Sequence, residues 1–389
     1  MLDFIYYAPT KVFFGKDKAK EVGKILRGYG IQRILLLYGG GSIKKNGLYE
    51  AVTSSLRESD VHYAEKGGVE PNPKADFVRE AISLAKKENA ELILAVGGGS
   101  VIDAAKYTAI GVKNEGDIVD YPMGRRTVGE ALPVATILTH AAAGSEMSSS
   151  AVLSDLSTNM KRGIRGDFNR PLFSILDPTL TYTVSPYQTA CGIVDMMMHT
   201  LERYFTDCPP TPLTDGIAES LLRSVIDAGK IALSEPENYE ARATLMWASS
   251  LAHNDLTGSG RANSLAVHQL EHALSGAYDS IAHGAGLAVL FPAWMRYVYR
   301  HAPARFASLA REVFAVSEEN DEKAALLGIE AMERYFAAIG MPLRLRELGV
   351  KKEDIPLLAR LTTFDGGRTI HGIIDLDTEK IADIFALAY

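Results

Sequence analysis

Hydrophobic residues in the first half of the chain follow two alternating patterns. Continuous apolar runs cover residues 33–38 and 91–96, as in strands that are buried on both faces of a sheet. Amphipathic helical periods cover residues 18–27, 47–58, 75–88 and 101–110. Both apolar runs end in glycines. Strands and helices that alternate in this way predict a parallel α/β sheet.

The pattern changes near residue 180. Residues 133–138 predict a further strand, and 151–177 contain strand-like patches without a helical period. From about residue 186 the periodicity is almost wholly helical. We therefore predict an α/β domain over 1–180 and an all-helical domain over 181–389.

Composition narrows the possible functions. A net charge of −7 gives no reason to expect a nucleic-acid partner. No apolar run approaches the ~20 residues that cross a membrane, and the N-terminus lacks the features of a secretory signal. Cys191 and Cys208 are the only cysteines, which favours a reducing, cytoplasmic location.

Ionisable residues recur at helical spacing in the second half. Asp195 and His199 stand four residues apart, so they share one helix face. Three of the nine histidines, His268, His272 and His283, follow downstream. A lone Asp/His pair is more often a hydrogen-bonded core pair than a ligand set. Two such clusters on apolar helices favour coordination instead, so Asp195, His199, His268 and His283 are candidate ligands of one divalent metal.

The glycines after the second apolar run point to a nucleotide. Gly97, Gly98, Gly99 and Ser100 lie between a strand and a helix, where backbone N–H groups and the helix N-terminus bind an anion such as pyrophosphate. Asp103 lies on the first turns of that helix. Thr139, with the small residues that follow it, forms a second polar loop that can line the same site. Glycine turns are often only turns, but the strand–glycine–helix order favours a dinucleotide site.

With both sites considered, the chain resembles the iron-containing (group III) alcohol dehydrogenase family over essentially its full length. It is most similar to the butanol dehydrogenase and broad aldehyde reductase branch. The resemblance rests on the ordered segments 70–73, 97–106, 144–146, 177–178, 192–202, 268–272 and 283–284.

The resemblance implies a dehydroquinate synthase-like architecture, with a dinucleotide-binding domain followed by a metal and substrate domain. It matches Asp195, His199, His268 and His283 to metal ligands, and His272 to a catalytic histidine that is not a ligand. It also matches Asn72, Thr139 and Lys161 to cofactor contacts. Fe(II) and Zn both suit imidazole and carboxylate ligands.

The expected reaction is hydride transfer between a nicotinamide cofactor and a primary alcohol or aldehyde, such as butanol and butanal, with the metal as Lewis acid. Two alternatives remain open. A glycerol dehydrogenase or dehydroquinate synthase type shares the architecture. A metal-dependent hydrolase, from a different class, would not need the nucleotide loop.

We expect NADP rather than NAD. A carboxylate at the end of the second strand would favour NAD, but here Gly39, Gly40, Gly41 and Ser42 follow that strand. These glycines leave room for a 2′-phosphate. Ser42 offers a hydroxyl, and Lys44 or Lys45 offers charge, although surface lysines are often only solvated.

The aromatic-rich segment Phe4 to Phe14 predicts a hairpin or an edge strand. An exposed sheet edge invites pairing, so we expect a homodimer. The alternative is that the strand is covered within the chain.

Overall fold

The computed structural model describes residues 1–158, 160–262 and 264–389. Contacts between Cα atoms divide the chain into two compact units. The first, which we name the sheet unit, comprises Tyr7–Val184 and Pro236–Asn254. The second, the helical unit, comprises Met1–Tyr6, Ser185–Glu235 and Asp255–Tyr389. The predicted domain division at residue 180 stays a prediction.

A parallel sheet forms the centre of the sheet unit. Its strands are β1 Lys11–Phe14, β2 Arg33–Tyr38, β3 His62–Lys66, β4 Leu92–Gly97, β5 Val134–Leu138 and β8 Phe173–Leu176. Their order is β1-β8-β5-β4-β2-β3, and every neighbouring pair is parallel. Between β5 and β8 the chain forms an antiparallel hairpin of β6 Ser150–Asp155 and β7 Met160–Arg165. The predicted parallel sheet is confirmed.

Apolar layers cover both faces of this sheet. Along β2, Leu35 and Leu37 belong to one buried cluster, whereas Ile34 and Leu36 belong to another. A strand buried on both faces needs apolar residues at successive positions, which is why β2 is a continuous apolar run. The helices of this unit are α1 Val22–Gly28, α2 Ser42–Lys45, α3 Leu48–Glu58, α4 Ala75–Lys87, α5 Gly99–Lys113 and α8 Tyr239–His253.

The helical unit contains the remaining α-helices. They are α6 Pro186–Tyr204, α7 Pro212–Ser234, α9 Ala266–Ala277, α10 His283–Val298, α11 Pro303–Phe314, α12 Asp321–Ala338, α13 Ile355–Thr363 and α14 Thr378–Leu387. Within the described ranges, none of the helices combines the length and the apolar character that a membrane crossing requires.

The N-terminal segment differs from its prediction. A hairpin over Phe4 to Phe14 is wrong, because β1 begins at Lys11 and the preceding residues form no regular strand. Pro9 has no N–H group and interrupts backbone pairing just before that strand. The edge-strand alternative is correct for Lys11–Phe14, which pairs with β8 and lies at the end of the strand order.

Candidate metal centre and nucleotide turn

Helix α6 presents the first two candidate ligands. Its first turn is well defined, since Pro186 occupies the first position and the Ser185 hydroxyl accepts a hydrogen bond from the Gln188 N–H at 3.2 Å. Asp195 and His199 are both buried on this helix. The four-residue spacing brings His199 Nε2 to 3.3 Å from Asp195 Oδ1.

Two further histidines reach the same carboxylate oxygen from other helices. His268 on α9 places Nε2 at 3.6 Å from Asp195 Oδ1, and His283, the first residue of α10, places Nε2 at 3.8 Å. Gly284 permits this approach, because a Cβ at that position would lie 2.2 Å from the Cys191 carbonyl oxygen on α6. Asp195, His199 and His268 thus place ligand atoms within 4.8 Å of one another, and His283 lies near the same Asp195 oxygen.

The spacing of these atoms suits one metal ion. Two donors that each lie about 2.1 Å from a common ion are separated by about 3 to 4 Å. The three distances from the histidine Nε2 atoms to Asp195 Oδ1 fall in this range. Asp195 Oδ1 and His268 Nε2 are buried, and within the described part of the chain neither has a hydrogen-bond partner. Buried polar atoms rarely remain unsatisfied, so a coordinated cation fits this donor set.

Two carboxylates orient the imidazoles. Glu202 accepts a hydrogen bond from His268 Nδ1, and Glu271 accepts one from His283 Nδ1. Glu202 also accepts the backbone N–H of His268 at 3.2 Å. With Nδ1 engaged in this way, each ring turns Nε2 toward Asp195, the arrangement that metal-binding histidines usually show. Sequence analysis did not assign these glutamates a role.

The charge of the centre also favours a cation. Asp195, Glu202 and Glu271 place three carboxyl groups in the interior. Burial lowers the pKa of His268, but Glu202 and Asp195 outweigh that effect and raise the pKa to about 9. The surroundings thus favour positive charge at the point where the donors meet.

His272 lies beside this centre. It follows His268 by one helical turn on α9, is partly buried, and has its ring centroid 5.8 Å from that of His283. Its ring nitrogen belongs to a second possible donor group with Glu271 and His283, whose ligand atoms lie within 4.8 Å of one another. His283 thus lies near Asp195 as well as near Glu271 and His272.

The predicted pyrophosphate turn lies at the carboxyl end of β4. Gly97 ends the strand, Gly98 is the N-cap of α5, and Gly99 and Ser100 form the first helical turn. Among the described residues no side chain caps this helix, so its first N–H groups remain available to an anion.

The other predicted cofactor residues occupy several loops of the sheet unit. Thr139 follows β5 and donates its backbone N–H to the Gly97 carbonyl at 3.1 Å, which places it beside the turn. Gly39 also lies near α5, since a Cβ there would contact Val101 at 3.8 Å. Gly40 follows Gly39, and Ser42 begins α2. Asn72 lies between β3 and α4 with a φ of 54°.

Asp103, which was predicted to contact the cofactor, is already hydrogen-bonded within the protein. Its carboxylate accepts the Ser145 hydroxyl at 2.6 Å and the Val152 N–H at 2.9 Å. Burial raises its pKa, while Lys106, then these two hydrogen bonds, and last Lys161 on β7 oppose that rise. Asp103 therefore fixes the loop after β5 against α5.

Lys106 forms the centre of the same network. It is 1% exposed, and its ammonium donates to the carbonyl oxygens of Ser145 and Ser150, both at 2.7 Å. Burial lowers the pKa of Lys106 to about 8, against the opposing effect of Asp103. This lysine is a structural group of the loop.

A parallel sheet with an uncapped glycine turn, together with a buried centre of one carboxylate and three imidazoles, is typical of metal-dependent oxidoreductases that use a nicotinamide. Comparison with known families identifies the group. The iron-containing alcohol dehydrogenase model matches residues 9–178, and the model of that family's C-terminal part matches 189–389. The chain belongs to the iron-containing alcohol dehydrogenase family, and the predicted resemblance is confirmed.

Individual relatives agree with this assignment. The chain is 43% identical to NADH-dependent butanol dehydrogenase A of Clostridium acetobutylicum, over 100% of both chains. It is 34% identical to the NADPH-dependent aldehyde reductase YqhD of Escherichia coli, over 92% of each. The crystal structure of NADH-dependent butanol dehydrogenase A from Thermotoga maritima superposes with a TM-score of 0.97 at 39% identity, covering 100% of this chain and 99% of the other. Family membership makes the chain an oxidoreductase, so the hydrolase alternative is wrong.

Proposed function

We propose that this enzyme interconverts a primary alcohol and its aldehyde, butanol and butanal among them, by hydride exchange with a nicotinamide cofactor. The observation that carries the proposal is that the Nε2 atoms of three histidines lie close to Asp195 Oδ1. Two of these potential metal ligands, Asp195 Oδ1 and His268 Nε2, are buried without a hydrogen-bond partner among the described residues. The names of the relatives, butanol dehydrogenases and an aldehyde reductase, support the substrate class.

In this proposal Asp195, His199, His268 and His283 hold one divalent metal, with Fe(II) and Zn both suited to the donor set. Once bound, the metal would supply Lewis-acid polarisation of the substrate oxygen. Glu202 and Glu271 keep the His268 and His283 rings in the orientation that coordination requires. The buried ligand helices exclude water from most of the centre.

His272 is the proposed proton-transfer residue. It lies next to the ligand His283 and is partly exposed, so it can exchange protons with solvent. An imidazole titrates near neutral pH and serves well as a general acid or base.

The nicotinamide cofactor would place its pyrophosphate at Gly97 to Ser100, with Gly39, Gly40, Ser42, Asn72, Thr139 and Lys161 as further contacts. Asp103 would support this site through the loop that it holds. The preference for NADP over NAD stays a prediction. Open space around Gly40 and Gly41 supports it, whereas the names of the relatives include both NADH- and NADPH-dependent enzymes.

An anaerobic assay tests the proposed reaction. Metal-loaded protein is mixed with butanal and either NADPH or NADH, and the absorbance of the reduced nicotinamide is followed. We expect a decay that requires both metal and aldehyde. Turnover of glycerol without turnover of any primary aldehyde would favour the glycerol dehydrogenase alternative, and no decay with either cofactor would contradict the proposal.

We also propose a homodimer located in the cytoplasm. Strand β1 is an edge strand, and the preceding residues Phe4 and Ile5 are 52% and 94% exposed, so pairing with a second copy would cover apolar surface. Cys191 and Cys208 are both free thiols, which suits a reducing compartment. Light scattering should give twice the chain mass at micromolar concentration. The mass of one chain would contradict the dimer.

A further inference from the structure

The carboxylate of Glu65 lies close to strand β2, although Glu65 itself belongs to β3. The residues that follow β2 contain no acid before Glu50, and this led to the expectation of NADP. Strand β3, however, pairs in parallel with β2, with Glu65 opposite Leu36. The carboxyl ends of parallel strands meet at one edge of the sheet, where nucleotides bind. Glu65 therefore brings an acid from the neighbouring strand to a position two residues before β2 ends at Tyr38.

Two tyrosines hold this carboxylate. The Tyr49 hydroxyl donates to Glu65 Oε2 at 2.6 Å, and the Tyr38 hydroxyl donates to Oε1 at 3.3 Å. The hydrogen bond to Glu65 raises the pKa of the Tyr49 phenol, so the phenol keeps its proton and remains a donor. Tyr38 is the last residue of β2 and is only 6% exposed, so its position and that of its hydroxyl are fixed by packing. Glu65 is thus an oriented acceptor of hydrogen bonds.

The same tyrosine rings hold Lys44. Its ammonium lies 5.0 Å from the Tyr38 ring centroid and 4.7 Å from that of Tyr49. Cations are attracted to aromatic faces at such distances. Its contact with Tyr38 raises the pKa of Lys44, and Glu65 contributes to that rise. Lys44, which was expected to bind a 2′-phosphate, therefore contacts the same two tyrosines that donate hydrogen bonds to Glu65. The Glu65 carboxylate offsets part of the positive charge of Lys44.

We infer that Glu65 is a specificity-determining residue, whose carboxylate, held by Tyr38 and Tyr49, disfavours the 2′-phosphate of NADP(H) relative to NAD(H). Its negative charge would repel the phosphate, and it offsets part of the positive charge that Lys44 would offer to that phosphate. This inference rests on the proposed function, and it weakens the preference for NADP that Gly39 to Ser42 alone would give.

Cofactor binding tests the inference without turnover. The purified full-length protein is titrated with NADPH and with NADH, and nicotinamide fluorescence gives the two dissociation constants. Glu65→Gln removes the charge while preserving the size of the side chain. It should improve NADPH binding relative to NADH by about fivefold, the upper range for an exposed charge pair. Glu65→Ala, which differs in shape, should shift the ratio in the same direction.

Glu58→Gln is the matched control, because Glu58 is an exposed glutamate at the end of α3 and its change removes the same charge. In this control variant, the ratio of the NADPH and NADH dissociation constants should equal that of the unmodified protein. Unchanged or reduced relative NADPH binding in both folded Glu65 variants would overturn the role of Glu65. If the unmodified protein bound neither nucleotide, the proposed function itself would fail.

Discussion

The candidate metal centre and the predicted nucleotide turn are built from different parts of the chain. At the metal centre, side chains from three helices converge on one buried oxygen. At the turn, the groups that would bind an anion are backbone N–H groups at the start of α5. A site made of side chains can be recognised in the sequence from residue types and their spacing, whereas a site made of backbone groups is indicated only by glycines. The first site was therefore predicted in more detail than the second.

The strongest test of this difference is His268→Ala. It removes one imidazole from the donor set, so we expect loss of most bound metal and of activity, with nucleotide binding retained. Metal analysis after dialysis and a nicotinamide titration measure both. His371→Ala is the control, because His371 also pairs with an Asp four residues away but is exposed. Full metal occupancy in His268→Ala would remove it from the ligand set.

His272→Ala should separate chemistry from metal binding. Loss of a general acid–base group lowers turnover by about a hundredfold or more, and we expect the metal content to stay unchanged. The kcat and the bound metal are measured on the same preparation. Loss of metal together with activity would mean that His272 belongs to the ligand set.

Glu202→Gln tests the orienting carboxylates. Weakening the hydrogen bond to His268 Nδ1 should reduce metal affinity by about 10- to 100-fold without abolishing binding. Competition with a chelator gives the affinity. Glu271→Gln should show a comparable loss through His283. Unchanged affinity in both variants would show that the glutamates are only core partners.

Lys106→Met tests the network beside the nucleotide turn. Removing the buried ammonium takes a donor from the carbonyl oxygens of Ser145 and Ser150 and removes the positive charge near Asp103, so the free energy of unfolding should fall by about 3 kcal/mol. Denaturant unfolding measures this change. Unaltered metal content is expected, and unaltered stability would contradict the structural role of Lys106.

Gly39→Asp should have a smaller effect than the changes at the candidate metal centre and at Lys106. A Cβ at Gly39 makes only ordinary contacts, the nearest at 3.5 Å, so an aspartate fits. Its charge should weaken NADPH use more than NADH use, by about tenfold in the ratio of kcat/KM. Comparable efficiency with both cofactors in the unmodified enzyme would contradict the predicted NADP preference.

Local pattern was sufficient for much of the fold. The apolar runs of β2 and β4 and the Asp195/His199 pair are set by period and spacing, which the sequence displays directly. Glu202 follows His199 by three residues, and Glu271 follows His268 by three, so a helical signal was present. Each glutamate nevertheless orients a histidine on another helix, and such a pairing depends on tertiary packing.

Other features depend wholly on tertiary contacts. Glu146 is buried and accepts hydrogen bonds from Ser249 at 3.1 Å and Ser250 at 2.6 Å, so α8 packs within the sheet unit although it lies about a hundred residues further along. Gly144, with a φ of 68°, lets this helix approach, since a Cβ there would lie 2.3 Å from the Ser249 carbonyl oxygen. Glu65 likewise contacts Tyr38, the last residue of β2, only because β3 pairs with that strand.

The central claim is that Asp195, His199, His268 and His283 hold one metal ion. Anomalous X-ray scattering from crystals loaded with Fe(II) or Zn locates the ion directly. We predict one peak at about 2.0–2.2 Å from Asp195 Oδ1 and from the Nε2 atoms of the three histidines. A peak coordinated instead by Glu271, His272 and His283, the second donor group, would contradict the assignment.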